Sequence, residues 1–154
     1  MSTEESPTAG GVAINALVPE FAVIDARASL GFYCDLLGFE VVYDRPEEGF
    51  AFLSRGEAQL MLYEIGLDRT LAVGNAPLER PLGRGVNLQI QVEAIEPLTA
   101  ALEAVGVGLT LPPEERWYRA GGHELGVRQF AVADPDGYLL RFSEHIGTRP
   151  AGTS

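Results

Sequence analysis

Val23-Ile24-Asp25-Ala26-Arg27-Ala28-Ser29-Leu30-Gly31-Phe32-Tyr33-Cys34-Asp35-Leu36-Leu37-Gly38 decides the fold, because it runs from strand to helix and out again and its landmarks recur later in the chain. Asn15 to Ile24 reads as a first strand, and Asp25 follows as a helix N-cap. From Ala26 to Leu37 the side chains Leu30, Phe32, Tyr33, Leu36 and Leu37 gather on one stripe, and Gly38 supplies the left-handed residue that ends the helix. Three extended segments come next, Phe39–Asp44, Gly49–Arg55 and Glu57–Glu64, the last two joined by a short turn at Gly56.

After a loop from Ile65 to Gly85 the same order restarts. Val86–Val92 alternates as a strand, and Ile95, Leu98, Leu102 and Val105 mark a second amphipathic helix with Pro97 in its first turn, where a missing N–H is tolerated. Gly106 closes that helix. Extended segments follow near Gly108–Leu111, Arg116–Arg119, Val127–Ala133 and Tyr138–Glu144, the last two joined by the turn Asp134-Pro135-Asp136-Gly137. Val23-Ile24-Asp25 maps onto Gln91-Val92-Glu93 at an offset of 68, as Gly38 does onto Gly106, and Leu60–Glu64 maps onto Leu140–Glu144 at an offset of 80. A duplicated βαβββ unit is the expectation, since neither copy closes a core alone.

With 154 residues, 46% of them apolar, the chain suits one compact domain. The expected organisation is an N-terminal tail over 1–11, a domain over 12–146 and a C-terminal tail over 147–154. Within the domain, module one covers about 12–65, a linker 66–84, and module two about 85–146. A net charge of −11 without a basic stripe argues against a nucleic-acid partner. Cys34 alone cannot form an intramolecular disulfide or a cysteine-based zinc site, and it reads as a buried structural thiol on the first helix. No signal-type or bilayer-length apolar run is visible, so a cytoplasmic protein without a membrane partner is expected.

Phe32-Tyr33 with Leu37-Gly38-Phe39, Arg128-Gln129-Phe130 and Asp134-Pro135-Asp136-Gly137-Tyr138 resemble the vicinal-oxygen-chelate superfamily, over Ala13 to Ile146. Tyr43-Asp44-Arg45-Pro46-Glu47-Glu48 and Glu115-Arg116-Trp117-Tyr118-Arg119 carry a likeness to its bleomycin resistance proteins. The resemblance implies an α+β fold: two paired βαβββ modules whose curved mixed sheet surrounds a cavity, with helices on the outer face, in a homodimer with ligand crevices. It also implies a place for a divalent metal, held in the enzymes by His, Glu or Gln from the first and fourth strands of each module. Those places fall here on Val18, Met61, Asn87 and Arg141, a set without converging anionic or imidazole donors. Glu20 shares Val18's face, and one carboxylate does not hold a metal. His123 and His145 read as surface residues. No metal and no cofactor are therefore expected, and no nucleophile elbow, phosphate loop or Cys/His pair suggests catalysis.

Strand alternation sorts the cavity wall. Asn87, Gln89 and Gln91 share one side opposite Val86, Leu88, Ile90 and Val92; Gln59, Met61 and Tyr63 oppose Leu60 and Leu62; Arg141 and Ser143 oppose Leu140 and Phe142. The resemblance implies ring-stacking roles for Tyr43 and Phe50, and Phe52 shares Phe50's face. Some drug-binding members carry a Trp two residues before the Arg of the seventh strand, where Gly126 stands here. Trp117 and Tyr118 alternate faces, so at most one points inward; which of the two does so stays open, and Trp117 is carried in the ligand-binding set. The ligand-binding set is then Tyr43, Phe50, Phe52, Gln59, Met61, Tyr63, Asn87, Gln89, Trp117 and Arg141. The expected function is metal-free capture of a bleomycin-type glycopeptide or a similar planar cation. The alternative is a metal-dependent glyoxalase-like lyase or isomerase, thiol transferase or dioxygenase with atypical ligands.

Overall fold

The computed structural model describes residues 7–152, and the chain divides into two compact units, one up to Leu78 and one from Glu79. Each is a four-stranded mixed sheet with one helical connection, which makes the fold α+β.

In the first unit a small hairpin, β1 (Thr8–Ala9) and β2 (Val12–Ala13), precedes β3 (Glu20–Val23). Part of the expected N-terminal tail is thus paired, and its residues 1–6 lie outside the described chain. The first strand is shorter than the apolar run suggests, because Asn15–Pro19 is irregular. Asp25 caps α1 (Ala26–Leu30), its carboxylate accepting from the backbone N–H groups of Arg27 and Ala28, and a π-helical stretch, Gly31–Leu36, continues the helix. Cys34 in that stretch is half-buried rather than buried, and what burial it has pushes its thiol pKa up. Then come β4 (Glu40–Arg45), a 3-10 turn at Pro46–Glu48, β5 (Phe50–Arg55) and β6 (Ala58–Glu64). The sheet order is β3-β6-β5-β4, with β3 parallel to β6 and the other pairs antiparallel. A parallel first-to-last pair needs a crossover, which the helix supplies.

The second unit repeats this order with β7 (Asn87–Val92), α2 (Glu96–Ala104), β8 (Leu111–Ala120), β9 (His123–Ala133) and β10 (Leu139–Pro150), arranged β7-β10-β9-β8. The two segments expected at 108–111 and 116–119 are joined in the single strand β8, which carries a register shift between Leu111 and Glu114. The C-terminal tail expected from residue 147 is corrected: β10 pairs with β9 as far as Pro150 opposite His123. His145 accordingly lies within the final strand rather than past it.

The duplication extends to the helix ends. The Glu64 carboxylate accepts from the N–H of Ala26 at 3.0 Å, and its counterpart Glu144 accepts from the N–H of Ile95 at 2.9 Å. In each module the last strand therefore satisfies an otherwise orphaned donor at the start of the helix, where negative charge is favoured. On the helix side of the first sheet Phe21, Val23, Leu53, Leu60 and Leu62 are buried with Phe32, Tyr33 and Leu37; in the second unit Ile90, Val92, Phe130, Val132, Leu140 and Phe142 are buried, as are Leu98 and Leu102 of α2.

Gly49 closes the 3-10 turn that brings Arg45 and Glu48 beside Phe50. Its φ is +62°, and a Cβ there would stand 2.5 Å from the Cβ of Glu64. Gly49→Ala is expected to cost about 2 kcal/mol from left-handed strain plus overpacking. Urea denaturation measures it, and an unchanged midpoint would show that the turn adapts freely.

Candidate functional site

Register places Tyr43 opposite Phe52, Arg45 opposite Phe50, and both Phe52 and Glu20 opposite Met61. With Gln59 and Tyr63 at alternate positions of β6, these residues share the sheet face away from the apolar core. The Tyr43 ring stacks on Phe52 at a centroid distance of 5.3 Å and an interplanar angle of 15°, and lies 5.7 Å from the Phe50 centroid. The Arg45 guanidinium covers Phe50, its central carbon 3.9 Å from the ring centroid, while its Nε donates to a Glu48 carboxylate oxygen at 2.6 Å. The hydrogen bond that Arg45 donates to Glu48 holds the Arg45 pKa above its already high ordinary value, so the guanidinium is always charged.

A cavity of about 120 Å³ opens here. Its walls bring Glu20, Glu48 and Asp68 together with Arg45 and Arg69, beside the rings of Phe50 and Tyr63. The Tyr63 hydroxyl donates to the carbonyl of Leu71 and accepts from the Leu71 N–H, which ties the following loop to the cavity rim. Two sequence-selected residues are more enclosed than alternation alone suggests. Phe52 is buried beneath Tyr43. Gln59 is buried with both ends of its amide engaged, accepting from the N–H of Asn15 and donating to the carbonyl of Ala13, so it fastens the segment before β3.

In the second unit Asn87, Gln89 and Gln91 are exposed on one side of β7, as alternation requires. Arg141 on β10 stands opposite Gln89, and donates to the Asn87 amide oxygen at 3.4 Å and to the Gln129 amide oxygen at 3.2 Å. Gln129, 2% exposed, donates in turn to Glu114 at 2.8 Å and to the Tyr118 hydroxyl at 2.6 Å. A connected polar array thus runs across all four strands of this sheet. Tyr118, not Trp117, belongs to it: Trp117 pairs with Gly126, one residue out of phase, and its ring lies against Gly126 and Gly147 with the Arg149 guanidinium 4.0 Å above. Trp117 is thereby separated from Asn87, Gln89 and Arg141.

Sequence reasoning missed Arg45, Glu48, Glu114 and Gln129 as members of these clusters, and it left open whether Tyr118 or Trp117 faces inward. Arg45 was reachable, since it lies two residues beyond Tyr43 on one strand, and Gln129 stands out as an amide directly before the apolar run Phe130–Ala133 of β9. The contacts of Glu114 and Tyr118 depend on the register shift in β8.

The places a divalent ion would need are unsuited to one. Val18 has no donor side chain, Met61 offers a thioether, and the Asn87 oxygen already accepts from the Arg141 cation. Among the described residues no three His, Cys, Asp or Glu side chains are gathered closely enough to hold a metal, and both His123 and His145 are exposed. The donor set does not fit a divalent cation.

A duplicated βαβββ architecture, each copy with its first and last strands parallel, defines the class. The chain belongs to the Glyoxalase/Bleomycin resistance protein/Dioxygenase superfamily, whose family model matches residues 13–142. It is 31% identical over 138 residues to a bleomycin resistance protein of Geobacillus stearothermophilus, covering 84% of this chain and 96% of that protein. The same identity and coverage relate it to a bleomycin resistance protein of Staphylococcus aureus. Among solved structures, TioX from Micromonospora sp. ML1 matches with a TM-score of 0.65 at 20% identity, over 86% of this chain and 99% of that one. A protein from the mobile metagenome of V. Pseudocholerae, VPC_CASS1, matches with a TM-score of 0.64 at 21% identity, over 88% and 98%. These two likenesses concern the fold alone. No helix among the described residues is long and apolar enough to cross a membrane.

Proposed function

We propose that the protein captures a planar cationic small molecule of the bleomycin type, stoichiometrically and without metal chemistry, as a cytoplasmic homodimer. The observation that carries this reading is the face of the first sheet, where Tyr43, Phe50 and Phe52 form an aromatic ladder beside a cavity walled by Glu20, Glu48 and Asp68. The half-buried Tyr43 and Tyr63 rings offer stacking area to a flat heteroaromatic group, with Phe52 and Phe50 backing Tyr43, and the carboxylates outnumber the two arginines there, which favours a cation. Capture needs affinity rather than bond-making, so the lack of metal-ligating side chains at Met61 in the first unit, and at Asn87 and Arg141 in the second, costs it nothing. The identity with bleomycin resistance proteins over most of both chains supports the same reading.

The test is calorimetric titration with metal-free bleomycin, run beside a DNA-cleavage protection assay and elemental analysis of protein purified without chelator. Saturable binding near one drug per protomer is expected, with protection ending once the sites are filled. Sub-stoichiometric protein that clears the drug, or a tightly held divalent ion in each chain, would overturn the proposal.

A further inference from the structure

The strongest unassigned feature is Arg45. Its guanidinium is a flat, delocalised cation lying on the Phe50 ring at 3.9 Å and hydrogen-bonded to the Glu48 carboxylate at 2.6 Å. Those two contacts, a ring face and an anionic edge, are what the cavity would offer a ligand of the same chemistry. We propose that Arg45 is an internal occupant of this cavity, lying where the amidinium-like or guanidinium-like group of a ligand lies, so that binding proceeds by its displacement.

The anchoring of Arg45 suits a group that leaves. Its side chain is 44% exposed and its ion pair with Glu48, 35% exposed, spans only three residues on a surface turn, an arrangement that water competes with effectively. Phe50, by contrast, is 5% exposed and fixed in β5, so the platform stays when the lid swings out. Stacking onto Phe50 from the cavity side requires the guanidinium to move, since the ring face it covers holds one flat group at a time. Arg69 lines the same cavity and is the internal control: removing it changes the charge by the same amount, yet the contacts over Phe50 are made by Arg45.

This inference rests on the capture reading for its natural ligand, but its test uses a separate probe. Benzamidinium, a flat delocalised monocation, is titrated into the wild-type protein, Arg45→Ala and Arg69→Ala and followed by amide NMR shifts. Benzylammonium serves as the compact-charge comparison. Arg45→Ala is expected to bind benzamidinium about three- to tenfold more tightly than wild type, with a smaller gain for benzylammonium and for Arg69→Ala. The shifted amides should include Phe50. Equal or weaker binding by Arg45→Ala, or an equal gain in Arg69→Ala, would overturn the proposal. Bleomycin titration of the wild type addresses the capture reading separately, so a drug that binds while Arg45→Ala shows no gain sinks this inference alone.

Discussion

Gly137→Ala is expected to lower the stability of the protein by about 3 kcal/mol or more, because two independent penalties meet at that position. The residue has φ +97°, outside the region L side chains adopt comfortably, and it ends the turn begun by Asp134, whose carbonyl accepts from the Gly137 N–H at 3.0 Å. A Cβ there would also stand 2.6 Å from the Cβ and 2.8 Å from the Cα of Pro81. The Cα cannot rotate aside as the end of a flexible side chain can. Moreover, the strap around Pro81 is held from both sides: Leu82 N–H donates to the Asp136 carbonyl at 2.7 Å, and Arg80 pairs at 3.0 Å with the buried Asp136 carboxylate. Relief therefore requires the strap to leave the turn, with the loss of these bonds. Chemical denaturation would register the change as a lower midpoint at unchanged slope. A loss below about 1 kcal/mol would show that the strap is a loosely held loop, against the contacts seen.

That turn also shows what a sequence can disclose. Asp134-Pro135-Asp136-Gly137 announces itself through residues with intrinsic turn chemistry, and the Asp134 carboxylate does accept from the N–H groups of Asp136 and Tyr138. The order of elements was legible for the same reason: periodicity and caps are local, and Asp25 is the cap expected of it. What the residues alone did not disclose is where alternation breaks. Register shifts occur between Val41 and Tyr43, between Leu111 and Glu114, and between His145 and Gly147. Each changes the phase of the side chains beyond it, and such an irregularity carries no fixed residue signature. The first aligns Tyr43 with Phe52; the second aligns Glu114 and Tyr118 with Gln129. The polar end of β10 reads as a tail because composition says nothing about backbone pairing with a neighbouring strand. Similarly, Gln59 looks like an open amide, but its partners lie more than forty residues away in sequence.

Gly126→Ala is expected to cost about 2–3 kcal/mol and to shift the emission of the chain's one tryptophan to longer wavelength. The new Cβ would stand 2.6–2.7 Å from three carbons of the Trp117 ring, well inside contact distance. The indole is confined at that corner by both glycine backbones and over one face by Arg149. The same Cη2 corner would also be 3.4 Å from a Cβ added at Gly147, and the Arg149 guanidinium lies over the ring and pairs with Glu124 at 3.3 Å. It must swing outward, giving up its half-buried position and its cation contact. In the drug-binding members that set a tryptophan at this place in the seventh strand, the ring is rooted there. In this chain the indole instead reaches across from β8 into the room that the glycine leaves. Trp117→Phe in the Gly126→Ala background should recover part of the loss, because the smaller ring fits the narrowed gap. An emission maximum that stays put in Gly126→Ala, with stability unchanged, would mean that the ring and the glycine are not in contact and that the indole does not fill this gap.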